Sequence, residues 1–359
     1  QDLGEAQLFG LPDSEVVGVP DAGFFNVSPD TPSDNGNNKF DPNNIGDNFL
    51  KDNIRDVSTA SSPFNILGMA EGIDFAKLEN ARKLSASEYT FHPQLGYISL
   101  NQKLTNDEVL AVAYQYSVGG DVYQVGEFGT DGVDATNVDS GGIPSSQALV
   151  LKMLKSNLVV VTEPAWDLMM KNIYQIQGGY QLQQEDFKFN ILYTDPSPLN
   201  YITEAGVDPL PADVEETPLL KVFNVDKLNY TNDPQEGGDG FFDFIPGLTV
   251  DTQKGRIIFT TVEPFGKHLF EKLRLNPTED YDGTIYNSNQ TKYVFFFLYK
   301  STQAAALQES AKNKFQLKGR FKSMGGDGIS IGAFNVPQGS VVVTAGGRVL
   351  IEGVDYTVN

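Results

Sequence analysis

A short β pattern recurs along the chain and limits what it can fold into. Its last copy, residues 340–359, predicts a strand, a Gly-Gly hairpin, a second strand, a turn and the start of a third strand. Earlier copies span residues 78–84 and 222–228, and Gly346 of the last copy stands where both of them have Asn. Asn and Gly tolerate the positive φ that a tight hairpin needs. The shared position therefore predicts a turn in every copy.

The two earlier copies continue into further predicted strands. Gly96 and Gly255 each open a return strand, and closing strands follow at residues 109–116 and 293–299. The last copy lacks both strands, so we expect the native sequence to continue beyond it. Apolar residues recur every three positions in residues 78–84, which also fits a helix, but the match to a Val-rich copy favours strands.

Composition agrees with a folded chain rich in strands and turns. The 24 Phe and 15 Tyr favour aromatic cross-strand pairs, and the 35 Gly and 19 Pro favour many turns. The predicted fold class is mainly β with a few helices (α+β). It consists of repeated antiparallel β modules of sandwich type, with the last module truncated.

Five regions follow from this pattern. Residues 1–62 form an extended arm with an Asp/Asn-rich loop, and 63–126 form the first β module. Residues 127–215 form a helix and strand connecting region, and 216–300 form the second β module. Residues 301–359 form a linker and the truncated third module.

Charge and cysteine content exclude several classes of protein. The formal net charge of −21 argues against DNA or RNA as a partner, because phosphate binding needs basic clusters. The chain has no Cys, which excludes disulfides and Cys-based metal sites. No apolar run is long enough to predict a transmembrane helix.

A polar stretch at residues 28–44 is the main candidate for a metal site. Asp30, Asp34 and Asp41 are the candidate ligands for Ca²⁺, since carboxylates and amides around a Gly can form an oxygen cage. The spacing does not match the EF-hand loop. A run of Asx turns, in which Asn and Asp bond their own backbone, is the alternative interpretation.

No residues form a convincing catalytic site, so we predict that the protein is not an enzyme. His92 and His268 belong to no paired metal motif, and structural or surface roles are favoured for both. Residues 328–332 fit the GxSxG pattern, but no helix start and no later His follow them. Residues 164–173 predict a helix whose single Trp166 is either a core anchor or a sugar-stacking platform.

Three long strings carry a resemblance to a known family. They are FFNVSPDTPSDNGNNKFDP, ARKLSASEYTFHPQLGYISLNQKL followed by VLAVAYQY, and LKGRFKSMGGDGISIGAFNVPQGSVVVTAGGRVLIEGVDYTVN. The chain resembles the SprA/Sov family, the giant outer-membrane translocon of the type 9 secretion system of Bacteroidetes, which gliding species also need for motility. The resemblance extends over nearly the whole chain.

The resemblance implies a soluble structural or interaction segment (cap, gate or scaffold) of a channel that exports folded cargo. The implied partners are PorV-like and plug subunits and the secreted cargo proteins, with membrane contact only through a barrel portion outside this chain. The implied location is the outer membrane of a Gram-negative bacterium, with this segment in the periplasm or outside the cell. The alternative is a cell-surface adhesin or glycan-binding β-module.

Overall fold

Short antiparallel strand pairs make up most of the regular structure. The structure is a computed structural model that describes residues 56–323, with gaps at 63–69, 74, 80, 94, 119–120, 130–135 and 139–140, and residues 337–358, with gaps at 338, 346–347 and 357. The strands are β1 (Tyr89–His92), β2 (Tyr97–Leu100), β3 (Leu110–Val112), β4 (Tyr114–Val118), β5 (Asp121–Val125), β6 (Thr136–Val138), β7 (Pro144–Ser146), β8 (Lys152–Lys155), β9 (Ile173–Gln175), β10 (Leu182–Tyr193), β11 (Val250–Asp251), β12 (Arg256–Ile258), β13 (Phe315–Ser323), β14 (Thr344–Ala345) and β15 (Arg348–Val349).

The helices are short and lie mostly between β10 and β13. They are the 3₁₀ helix Pro164–Leu168, α1 (Leu219–Val222), the irregular π-type turn Pro264–His268, α2 (Leu269–Lys272), α3 (Ser288–Tyr293), α4 (Phe297–Lys300) and α5 (Gln303–Gln308). None of the helices in the described part of the chain has the length and hydropathy needed to cross a bilayer. The observed class is therefore mainly β with α+β character, built from several small antiparallel sheets.

The longest strand pair, β10 with β13, forms one wall of the main core. Tyr193 lies opposite Phe315 and Ile191 opposite Leu317, and the register shifts between Gln183 and Lys188. The three-stranded sheet, in the order β11-β12-β9, forms a second wall. Alternate side chains of a strand face opposite sides, so each wall places one row of apolar side chains in the core.

Aromatic rings fill the space between these walls and the short helices. The Phe223 ring lies 4.9 Å from the Phe265 ring and 5.6 Å from the Phe315 ring, measured between centroids. Phe223 and Phe259 are fully buried. Each such ring contributes about 1.5–3 kcal/mol through burial. Because the core takes in Ile191, Val214 and residues of α1 to α4, it crosses the boundary predicted at residue 215.

Several features of the predicted repeat are confirmed. Gly96 and Gly255 adopt positive φ, +66° and +64°, immediately before the return strands β2 and β12. Asn224 has the predicted positive φ, +58°, but it follows the end of α1 and not a strand. The last copy forms the expected hairpin, in which Thr344 pairs with Val349 and Ala345 with Arg348.

The predicted strands of the second copy are wrong at two places. Residues 222–228 do not form a strand, because α1 ends at Val222 and the chain turns at Asn224. The closing strand at residues 293–299 is the end of α3, a short connection and part of α4. A continuous apolar run fits a buried strand or a buried helix equally well. The capping box of Asn287 and Gln290 starts α3, which ends at Tyr293, the first residue of this run.

Three other predicted elements differ from the structure. The described residues within 78–84 form neither strand nor helix. The closing strand at 109–116 is divided at Ala113 into β3 and β4, which pair with β8 and β5 respectively. The predicted helix at 164–173 is only the 3₁₀ turn Pro164–Leu168, and β9 begins at Ile173.

The first and last copies share one local contact. The guanidinium of Arg82 donates to both carboxylate oxygens of Glu88, at 3.0 and 2.7 Å, and that of Arg348 donates to both oxygens of Asp355, at 3.3 Å each. Each carboxylate also accepts a backbone N–H, from Ser85 and from Ile351. The Arg82 guanidinium, with the amide and hydroxyl of Ser85, lowers the pKa of Glu88 to about 2.

Candidate interaction surface and the polar contact between two hairpins

A shallow apolar crevice lies between β8 and the 3₁₀ helix Pro164–Leu168. Its lining includes Ile73, Leu158, Val159, Trp166 and Met169. The enclosed space is only about 20 Å³, roughly enough for one water molecule. The crevice is therefore too small for an organic ligand of ordinary size.

Large apolar side chains around this crevice are exposed. Leu158 is 54% exposed, Val159 46% and Met169 43%. These three side chains line the same crevice, and we call them together the crevice patch. Exposed apolar patches of this kind mark interaction surfaces.

Hydrogen bonds hold the two sides of the crevice in place. The buried hydroxyl of Ser156 donates to the carbonyl oxygen of Gly72, and the amide of Leu158 donates to the same oxygen at 3.2 Å. The indole Nε1 of Trp166 donates to the carbonyl oxygen of Tyr299 at 2.5 Å. The crevice patch is thus fixed both to the turn at Gly72 and to the main core.

Lys171 covers Trp166. Its ammonium lies 4.9 Å from the centre of the indole ring and donates to the carbonyl oxygens of Trp166, at 2.7 Å, and Met169, at 3.3 Å. Burial lowers the pKa of Lys171. This contact occupies one face of the ring, and the hydrogen bond to Tyr299 fixes the ring's edge, so the geometry favours the core-anchor interpretation over sugar stacking.

A polar contact joins the β1–β2 hairpin to the β11–β12 hairpin. Lys254 Nζ donates to the hydroxyl of Ser99 at 3.0 Å and to Asn101 Oδ1 at 2.8 Å. Arg256 donates from Nη1 to the same Ser99 hydroxyl at 2.9 Å and from Nε to Gln175 Oε1 at 3.1 Å. The contact brings together the two predicted return strands, although their residues are far apart in sequence.

The strand pattern explains how Ser99 reaches this position. Tyr97 and Ser99 stand two residues apart on β2, so both point to the same face, and both are buried. His92 lies opposite Tyr97, and the two rings stack with centroids 4.2 Å apart. Polar atoms of three buried or half-buried side chains here lack hydrogen-bond partners: His92 Nε2, Tyr97 Oη and Asp251 Oδ2.

Burial and neighbouring charges shift the pKa values of three side chains in this cluster. Burial lowers the pKa of Lys254, and the Arg256 guanidinium lowers it further, while Asp251 opposes both. Burial also lowers the pKa of His92, again against the effect of Asp251. The pKa of Tyr97 is raised by burial and by Asp251.

His268 lies in the main core, away from this cluster. Its Nε2 donates to the carbonyl oxygen of Val222 at 2.7 Å, which fixes the Nε2–H tautomer of the neutral ring. Burial lowers the pKa of His268. This geometry matches the structural role predicted for His268.

A wider depression of about 570 Å³ lies beside α1 and the loop at residues 234–238. Lys272 pairs there with Asp213 at 3.4 Å. The buried Asp226 accepts the backbone N–H groups of Asp239, at 2.9 Å, and Gly240, at 3.1 Å. Burial raises the pKa of Asp226. The backbone amides of Asp239 and Gly240 thus hold the Asp226 carboxylate beside the depression.

The calcium ligands predicted from sequence, Asp30, Asp34 and Asp41, lie outside the described residues. Within the described ranges, no group of three or more His, Asp or Glu side chains is arranged to hold a metal ion. The residues that sequence reasoning missed are Ser99, Lys254 and Arg256. The only available signal for them was the matching of Gly96 with Gly255, which places Ser99 and Arg256 on equivalent strands.

Comparison of the chain with protein-family models gives no match, and neither does comparison with curated proteins.

Proposed function

We propose that this chain is a structural and interaction segment of a giant outer-membrane protein-translocation channel, which exports folded cargo through the type 9 secretion system. The observation that carries the proposal is the crevice patch of Leu158, Val159 and Met169. An exposed apolar surface on a strongly acidic chain favours a protein partner that covers it.

The rigidity of the patch supports a preformed docking surface. The hydrogen bonds of Trp166 to Tyr299 and of Ser156 to Gly72 fix it before any partner binds. A preformed surface loses little conformational entropy on binding, which favours affinity. The small enclosed volume favours side chains of a protein that lie across the surface over a buried small molecule.

The resemblance to the SprA/Sov family supplies the identity of the partners. We propose PorV-like or plug subunits as the proteins that cover the crevice patch, with cargo proteins as transient partners. The segment then acts as a cap, gate or scaffold beside the channel, in the periplasm or outside the cell.

We further propose that the first and last copies are versions of one β module of sandwich type. The support is the matched pair of contacts, Arg82 with Glu88 and Arg348 with Asp355. In the second copy Asp243 accepts from the amides of Lys227 and Leu228. Asp243, which precedes Phe244, is therefore the counterpart of Glu88 that we propose for the second copy.

Affinity purification from envelope extracts tests the proposed function. The tagged chain is incubated with detergent extracts of a Bacteroidetes species that has a type 9 system, and bound proteins are identified by mass spectrometry. Recovery of PorV-like or plug subunits supports the proposal. Binding to a glycan array without recovery of those subunits contradicts it and supports the adhesin alternative.

A further inference from the structure

We propose that the polar contact between the β1–β2 and β11–β12 hairpins binds a tetrahedral oxyanion of the phosphate class, held by Lys254, Arg256 and Ser99. This inference concerns a different surface from the crevice patch and does not depend on the proposed function.

The first observation is a pair of neighbouring cations that share one neutral acceptor. Lys254 and Arg256 both donate to the Ser99 hydroxyl, at 3.0 and 2.9 Å, and their other side-chain acceptors are the neutral amides Asn101 and Gln175. Across the ranges that the structure describes, neither cation has a carboxylate within ion-pair distance. Two like charges that share one neutral acceptor repel each other, and an anion between them removes that repulsion.

The second observation is the number of donors left over. An ammonium has three N–H groups and a guanidinium has five, and the named contacts use two of each. Ser99 accepts from both cations, so its own O–H is free to donate, and it has no acceptor within the described part of the chain. Ammonium, guanidinium and hydroxyl donors from three side chains suit the several oxygens of a phosphate group.

The burial pattern places these donors at a defined site. Ser99 is only 8% exposed, while Lys254 and Arg256, which donate to its hydroxyl, are half-buried. A half-buried pair is less screened by salt than an exposed one, so it binds an anion more strongly.

Asp251 is the acidic group of the same hairpin. Its Oδ1 accepts the backbone N–H of Lys254 at 3.0 Å, and its Oδ2 is buried. The negative charge of Asp251 offsets one of the two positive charges, so Lys254, Arg256 and Asp251 together carry a net charge of +1. Because its free oxygen is buried, it does not occupy the position of the proposed anion.

Thermal unfolding with added inorganic phosphate tests the proposal, with sodium chloride at equal ionic strength as reference. At saturating phosphate we expect a rise in Tm of ~2 °C or more for the wild-type chain. The rise should be lost in Lys254→Gln and Arg256→Gln. It should persist in Lys318→Gln, which removes an exposed lysine elsewhere.

Two further arms make the result decisive. Circular dichroism of each variant without phosphate checks folding, and Ser99→Ala, the smallest change, replaces any variant that does not fold. Co-sedimentation with phosphatidic acid vesicles, if it requires Lys254, assigns the phosphate to a lipid headgroup, whereas stabilisation without co-sedimentation assigns it to a free anion. No rise in wild-type Tm together with no co-sedimentation overturns the proposal, as does an equal rise in the Lys254→Gln and Arg256→Gln variants.

Discussion

The indole Nε1 of Trp166 donates a hydrogen bond to the backbone carbonyl oxygen of Tyr299 at 2.5 Å. Tyr299 is fully buried in the main core, and Trp166 belongs to the short helix beside the crevice patch. This single bond connects residues that are far apart in sequence. Through this bond, the surface that we propose as the docking site is held against the packed core.

Replacement of Trp166 by Phe should destabilise the protein by about 1–2 kcal/mol, because the Tyr299 carbonyl loses its indole donor and a smaller ring fills the site. Urea unfolding followed by circular dichroism measures the change in the free energy of unfolding. Met170→Ala is the control, since Met170 is 38% exposed, and we expect a change below ~0.5 kcal/mol for it. Equal stability of the Trp166→Phe variant and wild type would contradict the anchor role.

Gly266 should not tolerate a side chain. A Cβ at this position would lie 2.5 Å from Tyr299 Cδ2 and 2.6 Å from the hydroxyl oxygen of Tyr281, both of which are in the core. We expect Gly266→Ala to destabilise the protein by about 1–3 kcal/mol, because packed rings must shift to admit the methyl group.

Gly129→Ala is the matched control, since among the described residues, its chain neighbours aside, no atom lies within 4 Å of its Cβ position. Differential scanning calorimetry of both variants measures the difference. If the Gly266→Ala protein is as stable as Gly129→Ala, the side chains around Tyr299 are packed loosely enough to admit a methyl group, which contradicts the prediction.

His268 should make stability fall under mildly acidic conditions. Burial lowers its pKa from the ordinary value of 6.5, so the folded state favours the neutral ring and the unfolded state binds more protons below that pH. The contribution of His268 is fully present above pH 6.5 and decreases as the pH falls through the titration of the unfolded state. Unfolding free energies measured across this range should therefore decline towards lower pH.

The variant His268→Gln separates this effect from that of His92, the other His of the chain, whose pKa is also lowered. Gln keeps an N–H that can donate to Val222 but does not titrate. We expect a shallower decline in stability for His268→Gln than for wild type. Identical pH slopes for the two proteins would show that the His268 ring is freely protonated in the fold.

Local turn chemistry allowed part of the fold to be predicted from the sequence. Asn224, Gly96 and Gly255 all adopt the positive φ expected of them, since this preference belongs to the residue itself. Residues 187–193, in the second half of β10, mostly alternate apolar and polar side chains, which is the pattern typical of a strand.

The rest depended on tertiary contacts that no local pattern encodes. Much of the apolar run from Tyr293 to Tyr299 is buried, so its composition suits a strand or a helix, and in the structure it holds the end of α3 and part of α4. In the sequence, Ser99 is an ordinary polar residue of an alternating strand. Its contacts with Lys254 and Arg256 arise only from the tertiary fold. For the candidate sites, the sequence indicated residue types but not which of them meet.

The central claim is that the crevice patch binds a subunit of a secretion channel. Its most direct test is the recovery of PorV-like or plug subunits by the tagged variants Leu158→Asp and Met169→Asp, compared with Val207→Asp, where a fully exposed residue is changed. Because a charge in an apolar interface costs more than 1.4 kcal/mol, we predict that recovery falls by ~10-fold or more for the first two variants and is unchanged for the third. Equal recovery by all three variants and wild type would contradict the claim.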